Sequence, residues 1–209
     1  MKNLKIESMV LGAVQTNCYF LMNSETKELL IIDPADEFDR IESQIARMDA
    51  KPAAVLLTHG HFDHMMAADK VRRHWGVKVY AHELEQEVLG DPARNLSGMW
   101  ASGYTMRADE TVKDGDVLLL AGFEIRVMHT PGHTQGSVCY YFPEEKVLIS
   151  GDTLFAQSVG RTDFPTSDGR KMRESIRRLL ETLPADTDVY PGHMGETTIG
   201  YEKRYNPFA

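Results

Sequence analysis

Cysteine is nearly absent from this sequence: Cys18 and Cys139 are the two it has in 209 residues, and they form no CxxC pair. A zinc knuckle or a thioredoxin-type redox motif needs such a pair, so both are excluded. Their contexts, Asn-Cys-Tyr-Phe-Leu and Ser-Val-Cys-Tyr-Tyr-Phe, read as strands, and each is expected as a buried free thiol. Long apolar runs are lacking too, so no membrane span is expected. The opening Met-Lys-Asn-Leu-Lys-Ile-Glu-Ser has no apolar signal-peptide core, and a reducing cytoplasm is the expected compartment. Positive charge is in the minority, with 23 Lys and Arg against 31 Asp and Glu. The net charge of −8 argues against nucleic acid as a partner, because that requires a basic face. No linker, low-complexity stretch or repeat interrupts the chain, which reads as a single domain over 1–209.

What the sequence does hold is Thr-His-Gly-His-Phe-Asp-His at 58–64. His59, His61, Asp63 and His64 offer imidazole and carboxylate ligands of the kind zinc and iron prefer. The run begins where Ala-Ala-Val-Leu-Leu at 53–57 ends, and that apolar stretch reads as a strand buried on both faces. Strands are also expected at 4–11, 17–23, 29–33, 77–81, 116–120, 123–129, 137–142, 146–150 and 187–190. Helices are expected from Glu37 to Met48, with Ile41, Ile45 and Met48 on one face, from Asp63 to Trp75, and from Arg170 to Thr182, with a short helix before Asn206-Pro207. Residues 91–115 carry Asp-Pro and several Gly-containing breaks, and are expected as an irregular loop over the site. Trp100, Tyr104 and Met106 are its candidate pocket residues, the alternative being that they pack the loop onto the body. Each half reads as several strands followed by strand-and-helix units, which suggests two packed sheets with helices outside, a four-layer α/β sandwich.

Three further segments place a ligand type just past a strand and behind a glycine: Thr130-Pro131-Gly132-His133, Ser150-Gly151-Asp152 and Tyr190-Pro191-Gly192-His193. Glycine lets the backbone turn sharply there, and loops at strand ends are where sites are built. His74, His82 and His129 lack this context. His74 falls in a helix, His82 begins a helix-like segment and His129 continues a strand, so none is expected to bind metal directly, with His129 near enough to support a ligand.

The order HxHxDH, His, Asp, His over nearly the whole chain resembles the metallo-β-lactamase superfamily. The resemblance implies the αββα fold of that superfamily and two divalent metals, zinc first, with iron or manganese as alternatives. It implies that His59, His61 and His133 hold one metal, that Asp63, His64 and His193 hold the other, and that Asp152 bridges them. Asp152-Thr153-Leu154-Phe155 looks like the glyoxalase II branch, as does the basic residue nine positions later, Arg161, which in that family helps bind a substrate carboxylate. The alternative for Arg161 is an ion pair with Asp163. The tail from Thr197 is similar to the ending of small bacterial glyoxalase II-like hydrolases, whereas long glyoxalase II enzymes continue into a helical domain.

The chemistry implied is hydrolysis of a small-molecule thioester of the hydroxyacylglutathione kind. A water shared by two metals ionises near neutrality and supplies the hydroxide nucleophile, with Asp63 orienting it or taking its proton. A thiolate, from a thiol of pKa about 8.5, leaves with little protonation. Gly-Arg-Thr-Asp-Phe at 160–164 also resembles persulfide dioxygenases, which implies one iron on His59, His133 and Asp152. A lactonase, a phosphodiesterase and a non-catalytic metal-binding module are the remaining readings.

Overall fold

The structure is a computed structural model that describes residues 3–100 and 103–209. The opening residues Met1 and Lys2, and Ala101 and Ser102 of the expected loop, lie outside the described residues. Two six-stranded sheets form the body. The first has the order β1 (Leu4–Leu11), β2 (Thr16–Asn23), β3 (Glu28–Ile32), β4 (Lys51–Leu56), β5 (Lys78–His82), β6 (Glu110–Val112). The second contains β7 (Val117–Leu120), β8 (Phe123–His129), β9 (Val138–Phe142), β10 (Val147–Gly151), β13 (Asp188–Pro191) and β14 (Thr197–Thr198), in the order β14-β13-β10-β9-β8-β7. A small hairpin of β11 (Leu154–Phe155) and β12 (Ser158–Val159) stands apart. Each half of the chain thus builds its own sheet.

Side-chain alternation sorts these strands into layers. Leu30, Ile32, Ala54 and Leu56 meet Ile125, Val127, Tyr140, Phe142 and Ile149 between the sheets. The opposite faces carry Leu29, Ile31 and Val55 onto α1 (Phe38–Met48) and α3 (Ala68–Trp75), through Ile41, Ile45, Met48 and Val71. Cys139, Tyr141 and Leu148 lie on α6 (Gly169–Thr182), through Met172, Ile176 and Leu179. Helix, sheet, sheet and helix stack in four layers, as the patterning implies. Asp168 caps α6, its carboxylate accepting the N–H groups of Arg170 and Lys171 at 2.9 and 3.1 Å. Both cysteines are buried and free. Among the described residues no helix is long and apolar enough to cross a membrane.

Three expectations need correction. The helix over Asp63–Trp75 is broken into α2 (Phe62–Met65) and α3, because the Ala67 N–H turns away to the Pro34 carbonyl at 3.0 Å and leaves the helical ladder. Residues 91–115 are not wholly irregular: α5 (Ser97–Trp100) and β6 lie within them, and β6 pairs in parallel with β5. With three residues, of which only Val112 is buried, β6 has too little alternation to show in sequence. His82 ends β5 rather than starting a helix; α4 (Glu85–Leu89) follows it.

Candidate metal centre

Strands β8, β10 and β13 run in one direction in the second sheet. The segments after β4, β8, β10 and β13, with α2 holding Asp63 and His64, deliver His59, His61, Asp63, His64, His133, Asp152 and His193 to one place. Three groups have ligand atoms within 4.8 Å of one another: His59, His61 and His133; His59, His64 and Asp152; Asp63, His64 and His193. The first and last are the two triads the sequence implies. His61 Nδ1 lies 3.1 Å from His59 Nε2 and 2.9 Å from His133 Nε2. Asp152 stands between the triads. Its Oδ2 is 3.4 Å from His133 Nε2 and 3.5 Å from His193 Nε2, and its Oδ1 is 3.4 Å from His64 Nε2. Asp63 Oδ2 lies 3.3 Å from His193 Nε2 and accepts the Thr16 hydroxyl at 2.9 Å.

The glycines behind the ligands do different jobs. Gly151 has φ +49, and a Cβ there would overlap the Thr58 side chain. Gly192 needs no positive φ; a Cβ there would collide with Asp152 Oδ1 and crowd His64. Close approach, rather than a sharp turn, requires glycine before His193.

Outer contacts fix which nitrogen of each ring faces inward. His133 Nδ1 donates to the Arg161 carbonyl at 2.8 Å, His193 Nδ1 to the Gln15 carbonyl at 3.3 Å and His64 Nδ1 to Asp33 Oδ2 at 2.9 Å. The Thr58 hydroxyl donates to Asp33 at 2.6 Å, so it accepts from His59 Nδ1 at 3.2 Å. Four Nε2 atoms therefore point inward, the arrangement that suits metal binding. At the His59, His61 and His133 triad one proton satisfies a single nitrogen pair and leaves the third lone pair unmatched. His64 Nε2 and Asp152 Oδ1 are buried without a hydrogen-bond partner, and groups in that state are costly unless something else binds them. Divalent cations fit this donor set.

The electrostatics agree. Burial pushes His59 and His61 well below the ordinary imidazole range, and the neighbouring imidazoles add to it. Burial acts to lower His64 as well, but Asp63, Asp152 and Asp33 outweigh it and push it up to about 10. Burial acts to raise Asp63, yet His64 and His193 hold it far below the usual carboxylate range. Neutral imidazoles on one side and a carboxylate-rich half on the other suit the binding of divalent cations.

Sequence reasoning missed the supporting residues. Asp33 also accepts the Thr58 N–H at 2.8 Å and holds φ +47 immediately before Pro34, where the extended region is favoured. Buried Glu85 accepts from Gly60 N–H at 2.6 Å, Gly136 N–H at 2.8 Å and the Thr134 hydroxyl at 2.8 Å, clipping the His59–His61 loop to the His133 loop. Each partner is 25 to 51 residues away, so no local spacing signals them. His74, His82 and His129 stay out of the cluster: His74 lies 3.3 Å from Glu42, and His82 and His129 stack at 4.2 Å. The ring of His129 bonds the Gln135 carbonyl and supports no ligand.

A cavity of about 550 Å3 opens onto the cluster, lined by His61, Asp63, His133, Asp152 and His193 at its floor. Trp100 lines it and stacks on Phe62 at 6.3 Å. Tyr104 and Met106 instead pack the segment onto the core. Arg161 lines the cavity, with its guanidinium paired to Asp163.

The metallo-β-lactamase superfamily profile matches residues 11–193. A probable metallo-hydrolase of Bacillus subtilis, YqgX, is 39% identical over 98% of this chain and 97% of its own length. The hydroxyacylglutathione hydrolase GloC of Haemophilus influenzae is 37% identical over 98% of both. Among solved structures, the BLEG-1 B3 metallo-β-lactamase superposes with TM-score 0.93 at 41% identity, covering 98% of this chain and 99% of that one. TTHA1623 in a di-iron-bound form superposes with TM-score 0.86 at 34% identity, covering 97% and 100%. ETHE1 from Myxococcus xanthus superposes with TM-score 0.80 at 29% identity, covering 97% and 83%. With its two sheets between helices and a His/Asp cluster at their edge, this chain belongs to the metallo-β-lactamase superfamily, as a metal-dependent hydrolase.

Proposed function

We propose that the protein is a binuclear hydrolase that cleaves a small-molecule thioester of the hydroxyacylglutathione type. The observation that carries this reading is Asp152, whose carboxylate faces His133 of one triad and His64 and His193 of the other. The likeness to GloC supports the substrate class. His59, His61 and His133 would hold one cation, Asp63, His64 and His193 the second, and Asp152 would touch both. Bound divalent ions supply Lewis acidity toward a carbonyl and lower the pKa of water toward neutrality; zinc is the expected metal, with iron or manganese as alternatives.

The chain does the rest. Asp33, Thr58, Gln15 and the Arg161 carbonyl lock the imidazoles with their Nε2 lone pairs inward. Thr16 steadies Asp63, which is placed to orient an attacking water and accept its proton. Apolar walls exclude bulk water and strengthen the electrostatics of the floor. No lysine, tyrosine or glutamate is among the described lining residues, so the wall offers an amide nitrogen no proton donor beyond the proton that Asp63 accepts. A thiolate leaves without one, which favours a thioester over a lactam.

The test is metal content of the purified protein together with three assays: S-lactoylglutathione hydrolysis, β-lactam hydrolysis and persulfide-dependent oxygen uptake. About two metals per chain with thioester cleavage is expected. One iron with oxygen uptake would establish the dioxygenase reading instead, with His59, His133 and Asp152 as its ligands.

A further inference from the structure

We infer that the group this cavity accepts is uncharged and apolar, and that Asp163 sets this preference by occupying the Arg161 guanidinium. The inference rests on the thioester reading for the bond that is broken and departs from it on the thiol carrier, for which it favours a neutral group over the anionic glutathione.

Above its ligand floor the cavity wall is almost wholly hydrocarbon. Val14, Phe62, Trp100, Phe155, Phe164 and Met194 contribute to it, and among the described lining residues outside the floor only Ser158 and Arg161 are polar. Trp100 is 69% exposed and Met194 67%. Large apolar side chains left open at the rim of a pocket mark a surface that binds apolar matter.

Among the described lining residues of the wall Arg161 is the one cation, and it is already engaged. Its Nε donates to Asp163 Oδ1 at 2.9 Å and its terminal nitrogen to Asp163 Oδ2 at 2.7 Å. That fork takes up one of the two paired N–H edges of the guanidinium. The guanidinium also lies over the Phe164 ring at 4.4 Å, so its plane continues the apolar wall. The pair is well exposed and is worth little as a stabilising interaction. Its consequence is for charge: an incoming carboxylate meets a neutral pair, with the Asp163 carboxylate beside whichever guanidinium edge it takes. Glutathione, with two carboxylates, finds no unpaired cation among the described residues of this wall, whereas an acyl chain or aromatic ring finds matching surface.

Two non-hydrolysable thioethers test this by titration calorimetry on the metal-loaded protein: S-hexyl-N-acetylcysteamine, which is neutral, and S-hexylglutathione, which is anionic. The neutral ligand is expected to bind more tightly, by about threefold or more. Asp163→Ala should raise affinity for S-hexylglutathione by about fivefold, and adding Arg161→Ala should remove that gain. Tighter binding of S-hexylglutathione by the unmodified protein, or no change on Asp163→Ala, overturns the inference. The corresponding hexanoyl thioesters are assayed in parallel. If neither is cleaved the thioester reading fails, while the binding comparison still decides the question of charge.

Discussion

Glu85 accepts the Gly60 N–H at 2.6 Å through one carboxylate oxygen and the Gly136 N–H at 2.8 Å through the other. A single side chain thereby ties the loop that carries His59 and His61 to the loop that follows His133. The carboxyl is fully buried, and burial pushes it up to about 7 even though three donors favour its ionised form.

That shift makes a pH prediction. The folded-state pKa lies above the ordinary value near 4.5, so the protonated form is the one folding favours. Its contribution is complete below about pH 4.5 and is lost as pH rises through about 7. In metal-free protein, the stability of the wild type relative to Glu85→Gln should fall by on the order of 3 kcal/mol across that window. Urea unfolding at a series of pH values measures it; a flat difference would show that Glu85 stays ionised throughout.

Asp152→Ala removes the carboxylate that faces both triads. Metal content should drop below one ion per chain and thioester cleavage should fall by about a thousandfold or more. His74→Ala serves as the control. That ring is half exposed beside Glu42, and the substitution should leave metal content and activity within about twofold.

Gly192→Ala probes space alone. A methyl there collides with Asp152 Oδ1 and crowds His64, so the Asp152 carboxylate must shift while the strands keep their pairing. Circular dichroism should be unchanged and metal stoichiometry reduced. Full metal content in this variant would refute the steric account of Gly192.

Asp33→Asn leaves the shape but removes the charge opposite His64 Nδ1, which lies 2.9 Å away. Loss of such an outer partner typically weakens metal affinity by about 10- to 100-fold. Competition with a chromophoric chelator should show the loss at the cation proposed for the Asp63, His64 and His193 triad.

Much of this centre is written in the chain. His59, His61, Asp63 and His64 are adjacent, and His133, Asp152 and His193 each follow a strand and a glycine, so residue type and local context suffice to nominate them. The layered fold is legible for the same reason: continuous apolar runs such as Val138–Phe142 bury both faces, and Ile41, Ile45 and Met48 return at helical spacing. Tertiary structure alone decided the rest. It set how closely the ligand groups approach one another and how the Asp152 carboxylate faces His64, His133 and His193, because distances between loops of different sheets have no sequence period. It recruited Asp33, Thr58, Thr16 and Glu85, ordinary turn, strand and helix residues until their distant partners arrive. It broke the helix at Ala67 by offering the Pro34 carbonyl, and it turned Arg161 toward Asp163, two residues away, where residue type alone left a free cation and an ion pair equally open. Ligand chemistry is a property of side chains and their immediate neighbours; tautomer, charge balance and pocket character are properties of what the fold brings together.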